Sequence, residues 1–367
     1  MPHIDQLSAQ LDRLAAFEPG PFPFISLYLN LQADDRGRDR FEPFLRKELA
    51  DRVRTYSSSA PERESLHKDA EKIRAYIDGV ERSMNGLALF ACSGADVFEP
   101  VPLAAPIDEH RLYISDEPHL YPLARLLDEY PRYLALLADT SSARIFVFAA
   151  NTLEKRHHIQ GTKTKHHKQG GWSQARYQRH VENFHAQHAK EVAEHVARIV
   201  RNEAITKVIL SGDGAVLPLL REHLPKDVAG RVVDVVRLDT HAPEHDILRS
   251  TIAALKEKDA ATDRERVEAL LGSYRASGLA CVGLEDTMKA FERGQVDELL
   301  VTATPDGLNV GAGRKIREGG AARTRSAEER AADTLIAQAR KTAAKVRFIE
   351  NTSLLRAVGG VGAFLRF

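Results

Sequence analysis

The chain has 367 residues, of which 43% are hydrophobic and 28% charged, a composition typical of a globular protein with two or three domains. Lysine and arginine number 52 together, as do aspartate and glutamate, so affinity for a polyanion must come from a local patch. The two cysteines, Cys92 and Cys281, lie far apart in strand-like segments, which argues against a disulfide scaffold or a cysteine zinc site. Because no apolar run approaches the roughly 18 residues of a membrane span, we expect a cytoplasmic protein with no membrane partner.

The first block, residues 1–130, contains two segments that predict buried strands. They are "PFISLYLNL" (23–31) and "NGLALFACS" (85–93), both rich in apolar and strand-forming residues. Between them, "FEPFLRKELADRVRTY" and "PERESLHKDAEKIRAYIDGV" repeat apolar residues at helical spacing. A proline-rich stretch, 100–131, follows and indicates a boundary that is not helical throughout.

The second block, residues 131–275, predicts an α/β layer. "RYLALLADTSSARIFVFAA" is typical of a strand, a tight turn and a strand, and "TLEKRHHIQ" continues the meander. A long helix is expected from about 176 to 202. It is followed by the strand "KVILSG", the helix "AVLPLLREHL", the strand "VVDVVRL" and a helix from about 243 to 275. Alternating strands and helices predict that at least part of this sheet is parallel.

The third block, residues 276–367, predicts a second, smaller α/β sandwich. Its strands are "LACVG", "VDELLVTA" and "KVRFIE", and its helices are "LEDTMKAFERG" and "AEERAADTLIAQARKTA". Between strand and helix lies a Gly/Arg loop, "PDGLNVGAGRKIREGGAARTR", whose cations include Arg314, Lys315, Arg317 and Arg325. We expect this loop to contact RNA or a protein partner, with an ordinary surface insertion as the alternative.

A basic segment with a Gly-Gly pair separates the meander from the long helix. No acidic residue occurs from 155 to 181, and the candidate RNA-binding residues are Lys163, Lys165, His166, His167, Lys168, Trp172, Ser173, Arg176, Tyr177 and Arg179. Cationic side chains bind phosphates, glycines permit close backbone approach, and a tryptophan stacks on bases. A solvated loop whose tryptophan packs on the core is the alternative. Adjacent histidines without carboxylate or thiolate neighbours do not predict a metal site, and we expect no cofactor.

The segment "GGWSQARYQRH" (170–180) resembles the Gly-Gly-Gln loop and following helix of archaeal and eukaryotic class I peptide release factors and of Pelota. Gly170 and Gly171 match the glycines of that motif. Ser173, Arg176, Tyr177 and Arg179 fall where the family has serine, arginine, an aromatic residue and arginine. Trp172 occupies the position of the family's glutamine, and Gln174 lies two residues later.

The resemblance extends over nearly the whole chain and is strongest to the bacterial branch, which includes ribosome hibernation factors of the Balon type. "FISLYL" and "NGLALFACS" resemble strands of the family's N-terminal domain. "KVILSGDGAVLPLLREHL" resembles its middle domain, and "ACVGLEDTMKAFERGQVDELLVT" with "GGVGAFLRF" resembles its C-terminal domain. The resemblance implies an α/β protein of three domains. These are an N-terminal α/β domain (1–130), a ribonuclease-H-like middle domain (131–275) and an α/β/α sandwich like kink-turn-binding ribosomal proteins (276–367).

The family implies a factor that occupies the ribosomal A site, with ribosomal RNA and P-site tRNA as partners. The Asn-Ile-Lys-Ser loop of stop-codon readers is absent from the sequence, so the expected role is hibernation or rescue without codon reading. A translational GTPase such as elongation factor Tu is a further expected partner. Trp172 suits stacking and plugging, which favours a binder over a hydrolase.

Two enzymatic alternatives stay open at the level of sequence. In release factors the motif glutamine orients water against the peptidyl-tRNA ester, and Gln174 beside Gly170 and Gly171 would be the catalytic residue if this chain hydrolyses that ester. A metal-dependent nuclease is the lesser alternative, since Asp139, Asp213 and Asp239 follow predicted strands. These aspartates are equally typical of turns and caps.

Overall fold

The computed structural model describes residues 4–33, 41–54, 60–80, 84–105, 107–160, 174–310 and 325–367. These residues form a mixed α/β architecture with three sheets, which confirms the predicted fold class. The chain divides into two compact units, one comprising Met1–Glu129 with Ala260–Phe367 and the other Tyr130–Asp259. The division into three domains at 130 and 275 stays a prediction. No helix in the described part of the chain could span a membrane.

The first sheet belongs to the N-terminal region, which we define as residues 1–129. Its elements are α1 (Ile4–Ala15), β1 (Phe24–Asn30), α2 (Phe41–Arg54), α3 (Pro61–Asp78), β2 (Gly86–Cys92), β3 (Val97–Leu103), β4 (Arg111–Ser115) and α4 (Tyr121–Glu129). The strand order is β3-β2-β1-β4, and all pairs are antiparallel. Leu27 and Leu89 on the sheet pack with Leu49 and Ile73 on α2 and α3, as the helical spacing predicted.

The proline-rich stretch contains two strands and a helix that its sequence pattern did not predict. Pro100 and Pro102 lie in β3, which pairs with β2 at the edge of the described sheet. An edge strand tolerates proline because the missing N–H can face away from the ladder. Pro122 is the second residue of α4, where the first-turn N–H groups have no intrahelical acceptor. The prolines therefore fit regular structure here.

The second unit contains β5 (Tyr133–Ala138), β6 (Ser142–Ala149), β7 (Thr152–Gln160), α5 (Gln174–Asn202), β8 (Lys207–Gly212), α6 (Val216–His223), α7 (Lys226–Ala229), β9 (Val232–Val236) and the first half of α8 (Glu244–Arg275). The strand order is β7-β6-β5-β8-β9. β5, β6 and β7 form an antiparallel meander, and β5, β8 and β9 are parallel, which confirms the predicted mixed sheet. α5 and α6 cover one face through Val192, Val196 and Leu220, while α8 covers the other through Ile247 and Leu255.

The third sheet belongs to the C-terminal region, which we define as residues 260–367. Its elements are β10 (Ala280–Val282), α9 (Leu284–Glu292), β11 (Val296–Thr302), α10 (Ala327–Lys341), β12 (Lys345–Ile349) and β13 (Val361–Leu365), in the strand order β10-β13-β11-β12. α10 begins with a capping box, in which Ser326 accepts from the Glu329 amide and Glu329 accepts from the Ser326 amide.

The Gly359–Gly360 pair, which leads into β13, requires glycine at its second position. Gly360 has a φ of 81°, and a Cβ there would lie 2.2 Å from the carbonyl oxygen of Gly307. Its own carbonyl accepts a 2.9 Å hydrogen bond from the Thr302 amide at the end of β11. The turn is therefore held against the central strand too closely for any side chain.

We expect Gly360→Ala to lower the free energy of unfolding by about 2–4 kcal/mol, from the left-handed backbone and the overpacking together. Gly272→Ala is the matched control, because Gly272 lies within α8 and a Cβ there meets nothing within 4 Å. That control should be neutral or stabilising by up to about 1 kcal/mol. Urea unfolding of both variants checks the pair. Equal effects would contradict the role assigned to Gly360.

Candidate functional site

The basic Gly-Gly segment connects an edge strand to the start of the longest helix of the second unit. β7 is the outermost described strand and ends at Gln160, and α5 begins at Gln174 and runs for 29 residues. The predicted residues Lys163, Lys165, His166, His167, Lys168, Gly170, Gly171, Trp172 and Ser173 lie outside the described residues. Gln174, Arg176 and Tyr177 are in the first turns of α5, where only the backbone is described, and Arg179 is exposed. The predicted strand before the segment and the predicted helix after it are confirmed.

Among the described side chains of α5, the buried ones lie in its C-terminal half. Buried side chains begin at His188 and Ala189 and continue to Val200, packed against the sheet and α6. None of the described side chains from Arg179 to Gln187 is buried. Residues 174–187 therefore form an arm of about 21 Å, at 1.5 Å per residue, whose helical hydrogen bonding continues from the anchored half.

The charges at the start of α5 favour an anion. The first turn contains no acidic residue, and Arg176 and Arg179 follow within the first six positions. The amide end of a helix carries a partial positive charge, so two arginines there repel the macrodipole in the absence of a counter-anion. A phosphate bound at this end would neutralise the arginines and complement the positive end of the macrodipole.

The cations of β7 do not belong to the same positive patch. Lys155 Nζ lies 2.8 Å from Glu203 Oε1, and Arg156 Nη1 lies 2.6 Å from Glu244 Oε1. The sequence window is free of acids, but the fold brings in carboxylates from 48 and 88 residues away. These two cations of β7 are therefore neutralised within the fold.

A group of histidines lies between β7 and α5. The rings of His157 and His195 are 5.7 Å apart, and Arg198 Nη2 lies 2.8 Å from His195 Nδ1. Because a guanidinium only donates, Nδ1 must accept, which holds the imidazole neutral. Partial burial, followed by Arg198 and His157, lowers the pKa of His195. His188 is buried, and neither of its ring nitrogens has a hydrogen-bond partner among the described residues.

We expect acidification to weaken the packing of α5 on β7. Since the pKa of His195 is lower in the folded state, the unfolded state takes up this proton first as pH falls below about 6.5. The contribution of neutral His195 is thus present above that pH and lost below it. Urea unfolding at pH 7.5 and 5.5 should show a smaller pH difference for His195→Gln than for the wild type. The exposed His158→Gln is the control, and an equal reduction there would refute the assignment.

The three aspartates of the nuclease alternative follow the carboxyl ends of the parallel strands β5, β8 and β9, but they act as turn residues. Asp139 Oδ1 accepts from the Ser141 and Ser142 amides, each at 2.7 Å. Asp213 Oδ1 accepts from the Ala215 and Val216 amides at the start of α6. Asp239 Oδ1 accepts from the His241 amide. Across the described residues no group of three His, Cys, Asp or Glu side chains is arranged to hold a metal ion. These carboxylates are already engaged by the backbone, which disfavours the nuclease alternative.

The C-terminal region departs from the sequence expectation at Arg325. Arg314, Lys315 and Arg317 lie outside the described residues, whereas Arg325 is 5% exposed and its Nη1 lies 2.6 Å from Asp333 Oδ2. Arg325 is thus unavailable to RNA or a protein partner. The sequence grouped it with the loop cations because its acidic partner lies eight residues later, on α10.

Three exposed apolar side chains that the sequence pattern did not reveal lie in the C-terminal part of α8 and beside the third sheet. Tyr274, Leu279 and Phe367 are the large apolar side chains exposed in the described part of the chain, at 45%, 51% and 67%. Leu279 O accepts from the Leu365 amide, and Phe367 O accepts from Gln295 Nε2, so the start of β10 and the end of β13 lie together. Exposed large apolar side chains at the end of a sheet are a candidate protein-binding feature.

Comparison with known families gives two adjacent matches. Residues 118–256 match the family described as bacterial archaeo-eukaryotic release factor family 10, and residues 260–367 match eRF1 domain 3. The shared boundary falls within α8, close to the division between the two compact units.

Relatives that match over most of their length agree with these families. Peptide chain release factor subunit 1 of Thermococcus onnurineus is 22% identical over 417 residues, covering 99% of this chain and 97% of the relative. An uncharacterized protein of Mycobacterium tuberculosis is 27% identical over 294 residues, covering 76% and 74%. Among solved structures, ribosome-bound archaeal Pelota has a TM-score of 0.42 at 16% identity, covering 100% of this chain and 94% of that one. Saccharomyces cerevisiae Dom34 has a TM-score of 0.41 at 11% identity, covering 81% and 93%.

Proposed function

We propose, from the premise that this chain belongs to the bacterial branch of the archaeal and eukaryotic release factor and Pelota family, that it is a ribosome-binding translation factor. It would occupy the A site of stalled or idle ribosomes without reading a stop codon, in the cytoplasm and without a cofactor. The observation that carries the proposal is the presentation of the basic Gly-Gly segment between an edge strand and an unburied helical arm.

The arm gives the segment reach without requiring a folded partner. Residues 174–187 continue the helix beyond its buried half, and Gly170 and Gly171 add no side-chain bulk to the segment that precedes it. Lys163, Lys165, His166, His167, Lys168, Arg176, Tyr177 and Arg179 would follow ribosomal RNA phosphates and bases, with the segment directed toward the P-site tRNA. Trp172 and Ser173 would bind at the tip.

Within this function we propose that the chain blocks the A site, as a hibernation or rescue factor would, and does not hydrolyse peptidyl-tRNA. The indole of Trp172 stands where the family has its glutamine, and an aromatic ring stacks on bases rather than orienting water. Gln174 is the first residue of α5, so its backbone is already helical. That position limits its freedom to reach the ester, whereas a glutamine within a loop could turn.

We propose that the C-terminal region meets a protein partner, a translational GTPase such as elongation factor Tu. The exposed side chains of Tyr274, Leu279 and Phe367 support this part of the proposal, because tyrosine and large apolar residues commonly anchor protein interfaces. Arg314, Lys315 and Arg317 are assigned to ribosomal RNA or to the same partner.

We expect Arg179→Glu to weaken co-sedimentation with ribosomes and to lower the salt slope of binding by about one for each phosphate that the arm no longer neutralises. The double variant Arg176→Glu/Arg179→Glu should show about twice that change in slope. Lys190→Glu is the matched control, since it reverses an exposed charge on the anchored half of the same helix. Unchanged binding by the double variant, or an equal reduction in the control, would sink the assignment of the arm to RNA.

We expect no release of labelled peptide from ribosomes that hold peptidyl-tRNA in the P site and an empty A site. The assay compares the wild type with Gln174→Ala, and both should bind such ribosomes equally. Release by the wild type that Gln174→Ala abolishes would instead establish the hydrolase alternative. Trp172→Ala, assayed in parallel, should weaken binding, because it removes the ring that is proposed to stack.

A further inference from the structure

The N-terminal and C-terminal regions meet at a buried polar cluster centred on Asp333 of α10. Asp333 is 2% exposed. Its Oδ1 accepts from the Leu120 and Tyr121 amides at 2.8 and 2.9 Å, and its Oδ2 lies 2.7 Å from His119 Nδ1 and 2.6 Å from Arg325 Nη1. Three of these four partners come from the N-terminal region, more than 200 residues away in the chain.

Asp333 acts as the N-cap of a helix to which it does not belong. α4 begins at Tyr121, and the amides of Leu120 and Tyr121 are the first that lack an intrahelical acceptor. A carboxylate satisfies them and also complements the positive end of the helix macrodipole. The order of α4 therefore depends on the docking of α10.

We call the contact between the N-terminal and C-terminal regions the seam. Further hydrogen bonds cross it. The Tyr121 hydroxyl donates to the Thr302 carbonyl in the buried interior, and the Phe348 amide donates to Asp128 Oδ2 at 3.2 Å. Arg340 donates from Nε to Asp12 Oδ1 at 2.7 Å, at the exposed rim. Polar pairing therefore extends across the seam from its interior to its surface.

Apolar packing alone does not close the seam. An open pocket of about 490 Å³ lies along it, lined by apolar and charged residues of both regions that include Leu11, Asp128, Ile336 and Arg340. The Tyr121 and Phe348 rings, 5.1 Å apart, pack edge to face beside it. Because this pocket interrupts the apolar contact, the directional, charge-assisted hydrogen bonds at Asp333 contribute to the register of α4 on α10.

We propose that the Asp333 cluster is a latch that joins both ends of the chain into one body, so that the N-terminal and C-terminal regions move together. With respect to the proposed function, interactions that the two regions make on a ribosome would then form and break together. Only this consequence rests on ribosome binding. The latch itself is a property of the free protein.

Hydrogen–deuterium exchange of the free full-length chain tests the latch. We expect Asp333→Asn to accelerate exchange in α4 and along the seam side of α10 by roughly tenfold or more, because it leaves buried donors without their charged acceptor. Protection in β1 and β2 should not change. Uniform acceleration across the chain, or none, would overturn the proposal.

Asp263→Asn is the matched control. Asp263 is also buried, at 5% exposure, and pairs with Arg347 at 3.1 Å, but both residues lie in the C-terminal region. This variant should accelerate exchange near β12 and leave α4 protected. The same pattern of exchange in both variants would mean that Asp333 has no special role in joining the two regions.

If Asp333→Asn does not fold, Tyr121→Phe provides the second test. It removes the hydroxyl that bonds Thr302 and keeps the ring on Phe348. We expect a smaller acceleration confined to the same amides, and unchanged exchange there would also overturn the latch. Because no ribosome is present, either result is independent of whether the proposed ribosome binding holds.

Discussion

A single buried carboxylate links the two ends of this chain. Asp333 is paired with Arg325 and accepts from the start of α4, so removing it would take the nearest carboxylate from a buried guanidinium and leave two helix-end amides without their acceptor. Breaking a buried pair from one side typically costs about 3–5 kcal/mol, comparable to a large part of the stability of a domain. The first and third sheets, which are far apart in sequence, belong to one unit, and this cluster is a specific reason why.

Elements that depend on local pattern could be predicted from the sequence, and elements that depend on contacts distant in the chain could not. β1, β2, β5, β8 and β11 are apolar runs bounded by turns, and α3, α5 and α10 repeat apolar residues at helical spacing, so local pattern was enough. α4 follows several prolines and takes its cap from 212 residues away, so its stability is not encoded near it. β3 is permitted its prolines only because it is an edge strand, and edge position is a tertiary property.

At the candidate site, local patterns predicted the position of the basic segment but not its electrostatic environment. The placement of the Gly-Gly segment after a meander and before a long helix follows from local signals alone. The neutralisation of Lys155 and Arg156 does not, because Glu203 and Glu244 reach them only in the folded sheet. Within the acid-poor stretch from 307 to 325, Arg325 is indistinguishable from the other loop cations, and the fold buries it. Cations counted along the sequence therefore overestimate the positive charge that the folded protein presents to a ligand, because the fold pairs or buries some of them.

Positive charge in excess of acidic charge is concentrated in a few stretches of the sequence. With zero formal net charge, long-range attraction to RNA cannot come from the chain as a whole. Once β7 and Arg325 are discounted, the excess along the sequence lies in the loop that holds Arg314, Lys315 and Arg317, and in the Gly-Gly segment with the start of α5. There the helix macrodipole adds to the arginines, and none of the described side chains of the arm is buried in the core. Such an arrangement sacrifices helix stability to present cations. An arm built in this way is suited to insertion among phosphates, and what its tip then does depends on whether Trp172 or Gln174 meets the peptidyl end of the tRNA.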